Sequence, residues 1–373
     1  MQNLNIALGA FAAAGTSLTV IYALHPLAPR LGLIDHPGSW RKLHQRAIPT
    51  IGGLSIAAGL LAAYMLIAPA SEPSGIALLG AALLVVVGGL DDRFNLDYQL
   101  RFLAQAAAAL ILVLGAGVKV TNLGDLLGLG PIDLGAFSLP FSVIAVVGLI
   151  NAFNMIDGID GLSGGLALIA LVSLCIADPT CSTGGAFLLP IVCAALLPYL
   201  ACNLGIGRLR QKKIFLGDAG SMLLGYLVAW ALISATQPAE AAAVGDTAAA
   251  SRLAPVIALW LVAIPLLDVF NVMSWRMLRK RSPFKADRSH LHHKLTRVLG
   301  HSRVALAVIL AIASLFATVA LVVWHLGVPE PVLFYAALLV FAGYVLMQTR
   351  VPRVYSVRYR RRLQRRLALQ TVL

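Results

Sequence analysis

The stretch GIALLGAALLVVVGGLDDRFNL, residues 75–96, joins a long apolar run to two adjacent carboxylates. The run approaches the roughly 20 apolar residues with which a helix crosses a bilayer. A carboxylate beside hydrocarbon is costly, so an ionisable residue in such a place is a candidate for function. Asp91 and Asp92 are therefore the first candidate site residues.

Apolar runs of this kind fill most of the 373-residue chain, which is 59% hydrophobic and only 12% charged. A soluble domain has about 25% charged residues. Helices rather than strands are expected, because a lipid-embedded helix satisfies its backbone hydrogen bonds internally. We predict an all-α polytopic integral membrane protein with one transmembrane domain (1–348) and a basic tail (349–373). Its eleven predicted spans lie near residues 4–25, 50–69, 75–90, 99–117, 139–154, 162–177, 184–203, 219–236, 253–275, 303–325 and 331–348.

The distribution of Lys and Arg predicts the orientation of these spans. With eleven spans, every Lys and Arg except Lys119 and Arg252 falls on one side of the membrane. Cytoplasmic loops are rich in Lys and Arg, so that side is predicted to be cytoplasmic, with the N-terminus periplasmic and the C-terminus cytoplasmic. Five aspartates then lie at cytoplasmic ends of spans: Asp91, Asp92, Asp157, Asp160 and Asp218.

Other function classes are disfavoured by the composition. The net charge of +13 is explained by the basic cytoplasmic loops, and no motif indicates nucleic-acid binding. The first residues lack a basic segment and continue into a span, which is unlike a cleavable signal peptide. The arginine-rich tail predicts either a surface helix at anionic lipid or a topology anchor. The cysteines have no CxxC spacing and are interpreted as packing residues: Cys175, Cys181, Cys193 and Cys202.

The segment NAFNMIDGIDGLSGG, residues 151–165, combines two Asp, two Asn and several Gly. Asp157 and Asp160 would share a face if the segment were helical. Asn151 and Asn154 add amide groups one turn earlier. A glycine-rich turn that opens a helix presents free N–H groups to phosphate oxygens. The alternative, an Asp N-cap before a small-residue packing face, explains one Asp more readily than the whole set.

Asp218, in IFLGDAGS, precedes a span, where a helix N-cap is a sufficient explanation for a lone Asp. Its predicted position on the same face as the other carboxylates favours function. The adjacent Asp91 and Asp92 repel each other unless a cation or a proton intervenes. Mg²⁺ typically takes one or two carboxylates and leaves positions for water and phosphate. The sequence thus favours a site for a metal and a phosphate-bearing substrate.

A histidine cluster, His290, His292 and His293, lies among many Lys and Arg in the last long cytoplasmic segment. This composition suits an anionic ligand better than zinc, since no Cys or HExxH partner accompanies it. A hydrated basic loop at lipid headgroups is the alternative. Asp268 lies in the ninth span after Pro265, and either supports the site or bonds a backbone group freed near a proline kink.

Six motifs in order resemble the polyprenyl-phosphate N-acetylhexosamine-1-phosphate transferases, over nearly the whole chain. They are HPGSWRKLHQRAIPTIGG (36–53), GGLDDRFNL (88–96), NAFNMIDGIDGLSGG (151–165), PYLACNLG (198–205), IFLGDAGS (214–221) and RKRSPFKADRSHLHH (279–293). The resemblance implies eleven spans in a bacterial inner membrane, a cytoplasmic active site and dependence on Mg²⁺ or Mn²⁺. It implies undecaprenyl phosphate and UDP-N-acetylglucosamine as substrates, within a pathway to O-antigen or related polysaccharides.

The resemblance also implies roles for residues at the matching positions. Asp218 is a metal ligand, with Asn154 as a second. The catalytic candidates are Asp91, Asp92, Asp157 and Asp160. The substrate-binding candidates are His44, Arg46, Asn151, Asn154, Asn203, His290, His292 and His293.

Several alternatives stay open on the sequence alone. RAIPTIGG and SHLHH look closer to the N-acetylglucosamine type than to the transferase of the first peptidoglycan lipid intermediate, but relatives that use other N-acetylated amino sugars share them. A lipid or sugar transporter would place its charges near the bilayer midplane in repeated halves, a pattern this chain lacks. A membrane scaffold leaves the Asp motifs unexplained. The oligomeric state, a homodimer included, is also open.

Overall fold

The computed structural model describes residues 2–37, 47–67, 74–178, 188–237, 253–280 and 289–348. Two short strands, β1 (Ile34–Asp35) and β2 (Ile48–Pro49), pair antiparallel. The first helices are α1 (Gln2–Leu24), α2 (Ala28–Leu31), α3 (Gly52–Ile67), α4 (Ser74–Phe94), α5 (Tyr98–Leu110, continued by a π-helical turn, Ile111–Gly115), α6 (Ser138–Ile156) and α7 (Leu162–Ala177). They are followed by α8 (Leu188–Leu204), α9 (Gly217–Thr236), α10 (Pro255–Leu261), α11 (Ala263–Leu278), α12 (Leu291–Leu299), α13 (Ser302–His325) and α14 (Glu330–Gln348).

Ten of the eleven predicted spans each coincide with one apolar helix, and the ninth coincides with the pair α10–α11. Within the described residues, seven helices are long and apolar enough to cross a membrane, and the bent pair α10–α11 makes an eighth. Helices α3, α7 and α8 are apolar but shorter. The prediction of an all-α polytopic membrane protein is confirmed. The number of crossings and their orientation stay predictions, and the basic tail lies outside the described residues.

Helix α9 occupies the centre of the bundle. In the most apolar 18-residue stretch of each helix, 89% of the residues of α9 are buried, against 22% for α13 and 11% for α14. The latter two therefore expose apolar side chains, as lipid-facing helices do. Helices α3, α4, α6 and α7 all contact α9. Its many small residues, in GDAGSMLLGYLVAWALISAT, allow this close packing on several sides. The first turn of α9 is therefore held firmly by its neighbours.

The predicted ninth span, 253–275, is not one helix with a proline kink. The chain bends by 77° between α10 and α11, at Val262. Pro265 lies in the first turn of α11, where its missing N–H would have had no intrahelical partner. Proline therefore helps to begin a second helix here instead of distorting the middle of a single one.

The chain before α9 is hydrogen-bonded to the start of α3. The N–H of Gly52 donates to the carbonyl of Phe215, and that of Gly53 donates to the carbonyl of Leu216, both at 2.9 Å. A Cβ at Gly53 would collide with the backbone of Gly220. Glycine at these positions lets two backbones touch, which fixes the segment that leads into Asp218.

Candidate active site

Asp92, at the end of α4, caps the start of α9. Its carboxylate accepts hydrogen bonds from the backbone N–H groups of Asp218 at 2.9 Å and Ala219 at 3.3 Å. The first N–H groups of a helix have no intrahelical partner, and the helix dipole favours negative charge there. Asp92 therefore anchors the turn that carries Asp218.

Glycine makes this contact between α4 and α9 close. A Cβ at Gly88 would overlap the backbone of Ala219, and one at Gly217 would overlap the carboxylate of Asp92. Gly217 also has a φ of 74°, which other residues adopt at a cost. The LGD and GGLDD motifs thus supply both the carboxylates and the space in which they meet.

Asp218 is joined to α6 through Asn154. The side-chain N–H of Asn154 donates to the Asp218 carboxylate at 2.6 Å and to the Ser221 hydroxyl at 2.9 Å. Ser221 lies one turn after Asp218 on α9, so the amide bridges two residues of one helix face. The structure brings together the two residues predicted as metal ligands.

Asp91 has different partners from its neighbour Asp92. It is buried, and it accepts hydrogen bonds from the Leu96 N–H at 2.7 Å and from the Arg101 guanidinium at 2.9 Å. Both carboxylate oxygens are engaged, and they tie the end of α4 to α5. The geometry gives Asp91 a role in local structure beside any part in the chemistry.

The segment containing Asp157 and Asp160 is a turn between α6 and α7, so the two residues do not share a helical face. Gly161 begins α7 with a φ of 76°. Burial, with the nearby charges of Asp218 and Asp160, raises the pKa of Asp157 to about 8. At neutral pH a cation beside Asp157 would favour loss of that proton.

Asp160 forms an ion pair with Lys213, with Nζ and Oδ2 2.5 Å apart and both side chains more than a third exposed. Asn203 is buried and bridges the same two segments, donating to the Ile214 carbonyl at 2.8 Å and accepting from the Gly161 N–H at 2.6 Å. Asn203, predicted to bind substrate, is placed where it holds the turn in position.

Asn151 lies one turn before Asn154 on α6. Its side-chain N–H donates to the Gln105 side chain at 2.6 Å and to the Val147 carbonyl at 2.8 Å. The amide thus faces α5. Its predicted substrate contact is not part of the Asp218 cluster.

The histidine segment meets the turn after α6. Rather than a loop, it forms the start of α12. His292 is 1% exposed, and a Cβ at Gly158 would overlap its Nε2. Burial and the neighbouring His293 lower the pKa of His292 to about 3, so its ring is neutral. Gly158, expected to admit a ligand, admits a histidine of the chain itself.

Asp268 does not bond a backbone group at the helix break. Its fully buried carboxylate contacts His290, the Leu291 N–H and Tyr344, all far along the chain. This outcome favours the alternative in which Asp268 supports the site. His44 and Arg46 lie outside the described residues.

Several contacts were not predicted from the sequence. Arg101, Lys213, Ser221 and Tyr344 each bond a predicted site residue or its support. Only Lys213 carries a signal, because a basic pair directly precedes IFLGD. Ser221 ends the motif IFLGDAGS, although its contact with Asn154 was not predicted, whereas Arg101 and Tyr344 lie in helices outside the six motifs.

The donor groups around Asp218 fit a hard divalent cation. In the described part of the chain, no three His, Cys, Asp or Glu side chains form a ready-made metal site. Mg²⁺ needs only one or two carboxylates, since water and phosphate complete its coordination. Asp218 and Asn154 offer oxygen donors, and the charges of Asp91, Asp92 and Asp157 all couple to Asp218. A cation would offset that accumulated negative charge.

The fold and site together define a polytopic membrane protein with a carboxylate-rich site at one end of its helix bundle. Residues 75–236 match glycosyl transferase family 4. Undecaprenyl-phosphate alpha-N-acetylglucosaminyl 1-phosphate transferases of Yersinia pestis and Escherichia coli (strain K12) are each 36% identical to the chain, covering 94% of it and 93% of their own length. The Pasteurella multocida transferase of that name is 37% identical, with 94% and 95% covered. The chain belongs to this family of transferases, which confirms the resemblance seen in its motifs.

Proposed function

We propose that the protein transfers N-acetylglucosamine 1-phosphate from UDP-N-acetylglucosamine to undecaprenyl phosphate. UMP leaves, and the first lipid-linked intermediate of O-antigen or a related polysaccharide forms. The observation that carries the proposal is the convergence of Asp92, Asn154, Asp157 and Asp218 where α4 and α6 end and α9 begins. The relatives named above, matched over nearly their whole length, support the choice of acceptor.

The proposed reaction is a phosphoryl transfer between two phosphates. An oxygen of undecaprenyl phosphate attacks the β-phosphorus of the nucleotide sugar. A new P–O–P bond forms, and the bond between the β-phosphorus and the bridging oxygen breaks, so that UMP takes the electron pair. The sugar C1–O bond is untouched, so the α configuration is retained. The protein has to align two anions and stabilise charge at the transferred group.

Asp218 and Asn154 are proposed to hold Mg²⁺, or Mn²⁺, which would neutralise diphosphate charge when bound. Asp92 positions Asp218 by fixing the start of α9. The raised pKa of Asp157 favours its protonated form near neutral pH, and a cation bound beside it would favour loss of that proton. His292, neutral and buried, presents ring nitrogens beside the same turn.

The decisive assay uses purified protein with undecaprenyl phosphate, Mg²⁺ and a UDP-sugar, with UMP and extractable lipid-linked sugar measured together. UDP-N-acetylglucosamine should give both products in equal amounts. Preference for another UDP-N-acetyl amino sugar, or for the peptidoglycan precursor, would keep the chemistry and change the donor. Absence of UMP with every donor would exclude the enzyme and leave a lipid or sugar transporter to be tested by vesicle uptake.

We also propose that this site faces the cytoplasm of a bacterial inner membrane. The support is the placement of nearly all Lys and Arg on the side that carries the aspartates. A topology reporter after residue 373 should then be cytoplasmic, and one inserted at Thr247 should be periplasmic. The same side for both would contradict the orientation.

A further inference from the structure

We propose that Asp268 is a positioning residue that holds the histidine segment, residues 289–293, against the turn after α6. The inference rests on the proposed function, because it assigns a further residue to that same site. The inference is based on two structural features that lie side by side. A fully buried carboxylate binds the start of α12, and two residues later a buried imidazole lies against Gly158.

The carboxylate of Asp268 is saturated with hydrogen bonds. Its Oδ1 accepts from the Leu291 N–H at 2.8 Å and from the Tyr344 hydroxyl at 3.0 Å, and its Oδ2 lies 2.8 Å from His290 Nδ1. A buried charge is costly unless it is paired and hydrogen-bonded. These three contacts together offset that cost, so the loss of any one of them would leave the buried carboxylate less well stabilised.

The contact with Asp268 fixes which nitrogen of the His290 ring donates a hydrogen bond. A carboxylate only accepts hydrogen bonds, so Nδ1 of His290 must carry the hydrogen and donate it. The ring is thereby held in one orientation. Leu291 is the first residue of α12, and His290 provides no side-chain cap for that helix. Asp268 therefore takes over the capping of α12 from outside it.

A second connection returns from the last helix to α12. The side-chain N–H of Gln348 donates to the Tyr344 hydroxyl at 2.7 Å, and Lys294 Nζ donates to the Gln348 side-chain oxygen at 2.6 Å. Helices α11, α12 and α14 thus form a closed ring of hydrogen bonds. The ring holds α12 at its first residue and again one turn later.

His292 is the group that this ring presents. Both of its nitrogens are buried and have no hydrogen-bond partner among the described residues. Its ring stacks at 5.8 Å on that of His290, which Asp268 anchors. Buried polar groups without partners are costly, and a catalytic role, a bound ion or an ordered water is among the explanations for one. The ring lies against Gly158, the residue that follows Asp157 in the chain.

Asp268 acts through the histidines, because each of its oxygens is already engaged with the protein. A double-mutant cycle tests this route. Asp268→Asn should lower kcat/KM for UDP-N-acetylglucosamine roughly tenfold, the usual scale for a residue that orients a ligand group. KM for undecaprenyl phosphate should stay the same. In the His292→Ala background, Asp268→Asn should change kcat/KM by less than about twofold.

Tyr344→Phe provides a milder variant, since it removes one hydroxyl and leaves the carboxylate. It should lower kcat/KM in the same direction and lose its effect in the His292→Ala background. Tyr335→Phe is the matched control, because Tyr335 is half exposed on the same helix and contacts Phe334 rather than the ring of hydrogen bonds. If Asp268→Asn lowered kcat/KM by the same factor in the His292→Ala background as in the natural chain, the inference would be overturned.

A readout without substrate separates this inference from the proposed function. Diethyl pyrocarbonate modification of His290 and His292, followed by mass spectrometry, should be slow in the natural chain, because both side chains are buried. It should be faster in Asp268→Asn and Tyr344→Phe, and unchanged in Tyr335→Phe. If no donor yields UMP, the proposed function fails, and the labelling alone decides the positioning role. Equal labelling in all four proteins would overturn that role.

Discussion

The carboxylate of Asp92 accepts a hydrogen bond from the backbone N–H of Asp218 at 2.9 Å, across 126 residues of sequence. Two of the five aspartates are thus joined directly, with one setting the backbone of the other. Asp91, the preceding residue, accepts a hydrogen bond from Arg101 of α5, and its charge also acts on Asp218. Both adjacent aspartates therefore lie near the start of α9, and Asp91 also ties α4 to α5.

Asp92→Asn should weaken the start of α9 and displace Asp218. The amide keeps one acceptor oxygen but loses the charge that favours a helix N-terminus, which lowers the free energy of unfolding by about 1 kcal/mol. UMP release should fall by more than the loss of folded protein explains. Asp97→Asn is the matched control, because Asp97 is exposed and makes no side-chain cap. Equal activity in the two variants would contradict the role of Asp92.

Asp218→Asn should abolish UMP release and leave the protein folded. The Asn side chain can still accept from Asn154, so the fold keeps that contact, but the carboxylate ligand is lost. Melting temperature and UMP release over a Mg²⁺ titration measure the two effects. Mn²⁺ binding, followed by electron paramagnetic resonance, gives a readout independent of turnover. Normal Mn²⁺ affinity in the variant would refute the proposed ligand.

Gly158→Ala should displace His292. The added Cβ would overlap His292 Nε2, and such overpacking typically costs about 1–3 kcal/mol or forces the ring away. We expect a loss of kcat/KM for the nucleotide sugar. Gly148→Ala on α6 is the control, since a Cβ there meets open space and alanine favours helix. Natural kinetics in Gly158→Ala would mean that His292 does not need this position.

Asp157 should make stability depend on pH. Its pKa is raised from 3.8 to about 8 in the folded protein, so the folded state binds its proton more tightly than the unfolded chain does. Its contribution therefore becomes less favourable as pH rises through that window. The Asn side chain of Asp157→Asn cannot ionise. The melting temperature of this variant, relative to that of the natural chain, should therefore rise between about pH 4 and about pH 8. The scans are run with a chelator, and a constant difference would contradict the assignment.

Much of the fold was predictable because long apolar runs leave little choice but helices. The break at Val262 was missed because a lone proline in an apolar run reads as a kink. Pro255, however, begins α10, and Pro265 lies in the first turn of α11, which together indicate two helix starts. Helix α12 was missed because it is short, amphipathic and surrounded by basic residues.

The grouping of the aspartates was predictable from charge distribution, but the partners were not. Neighbouring residues on a helix point about 100° apart, so Asp91 and Asp92 make different contacts. That Asp92 accepts from the first N–H groups of α9 depends on the close packing of Gly88 against Ala219, which only the tertiary structure reveals. The contact of Tyr344 with Asp268 could not be predicted from the sequence, because a tyrosine in an apolar helix resembles any other core residue.

The hydrogen bond from Tyr344 to Asp268 spans 76 residues and reaches into the last described helix. During synthesis, all five aspartates emerge from the ribosome well before Tyr344 does. A chain that stalls or is truncated before residue 330 would contain every acidic motif. It would still lack the hydrogen bond from Tyr344 that supports Asp268 and the histidine segment. Folding of the last described helix against Asp268 is therefore the step that completes the hydrogen-bonded support of the histidine segment.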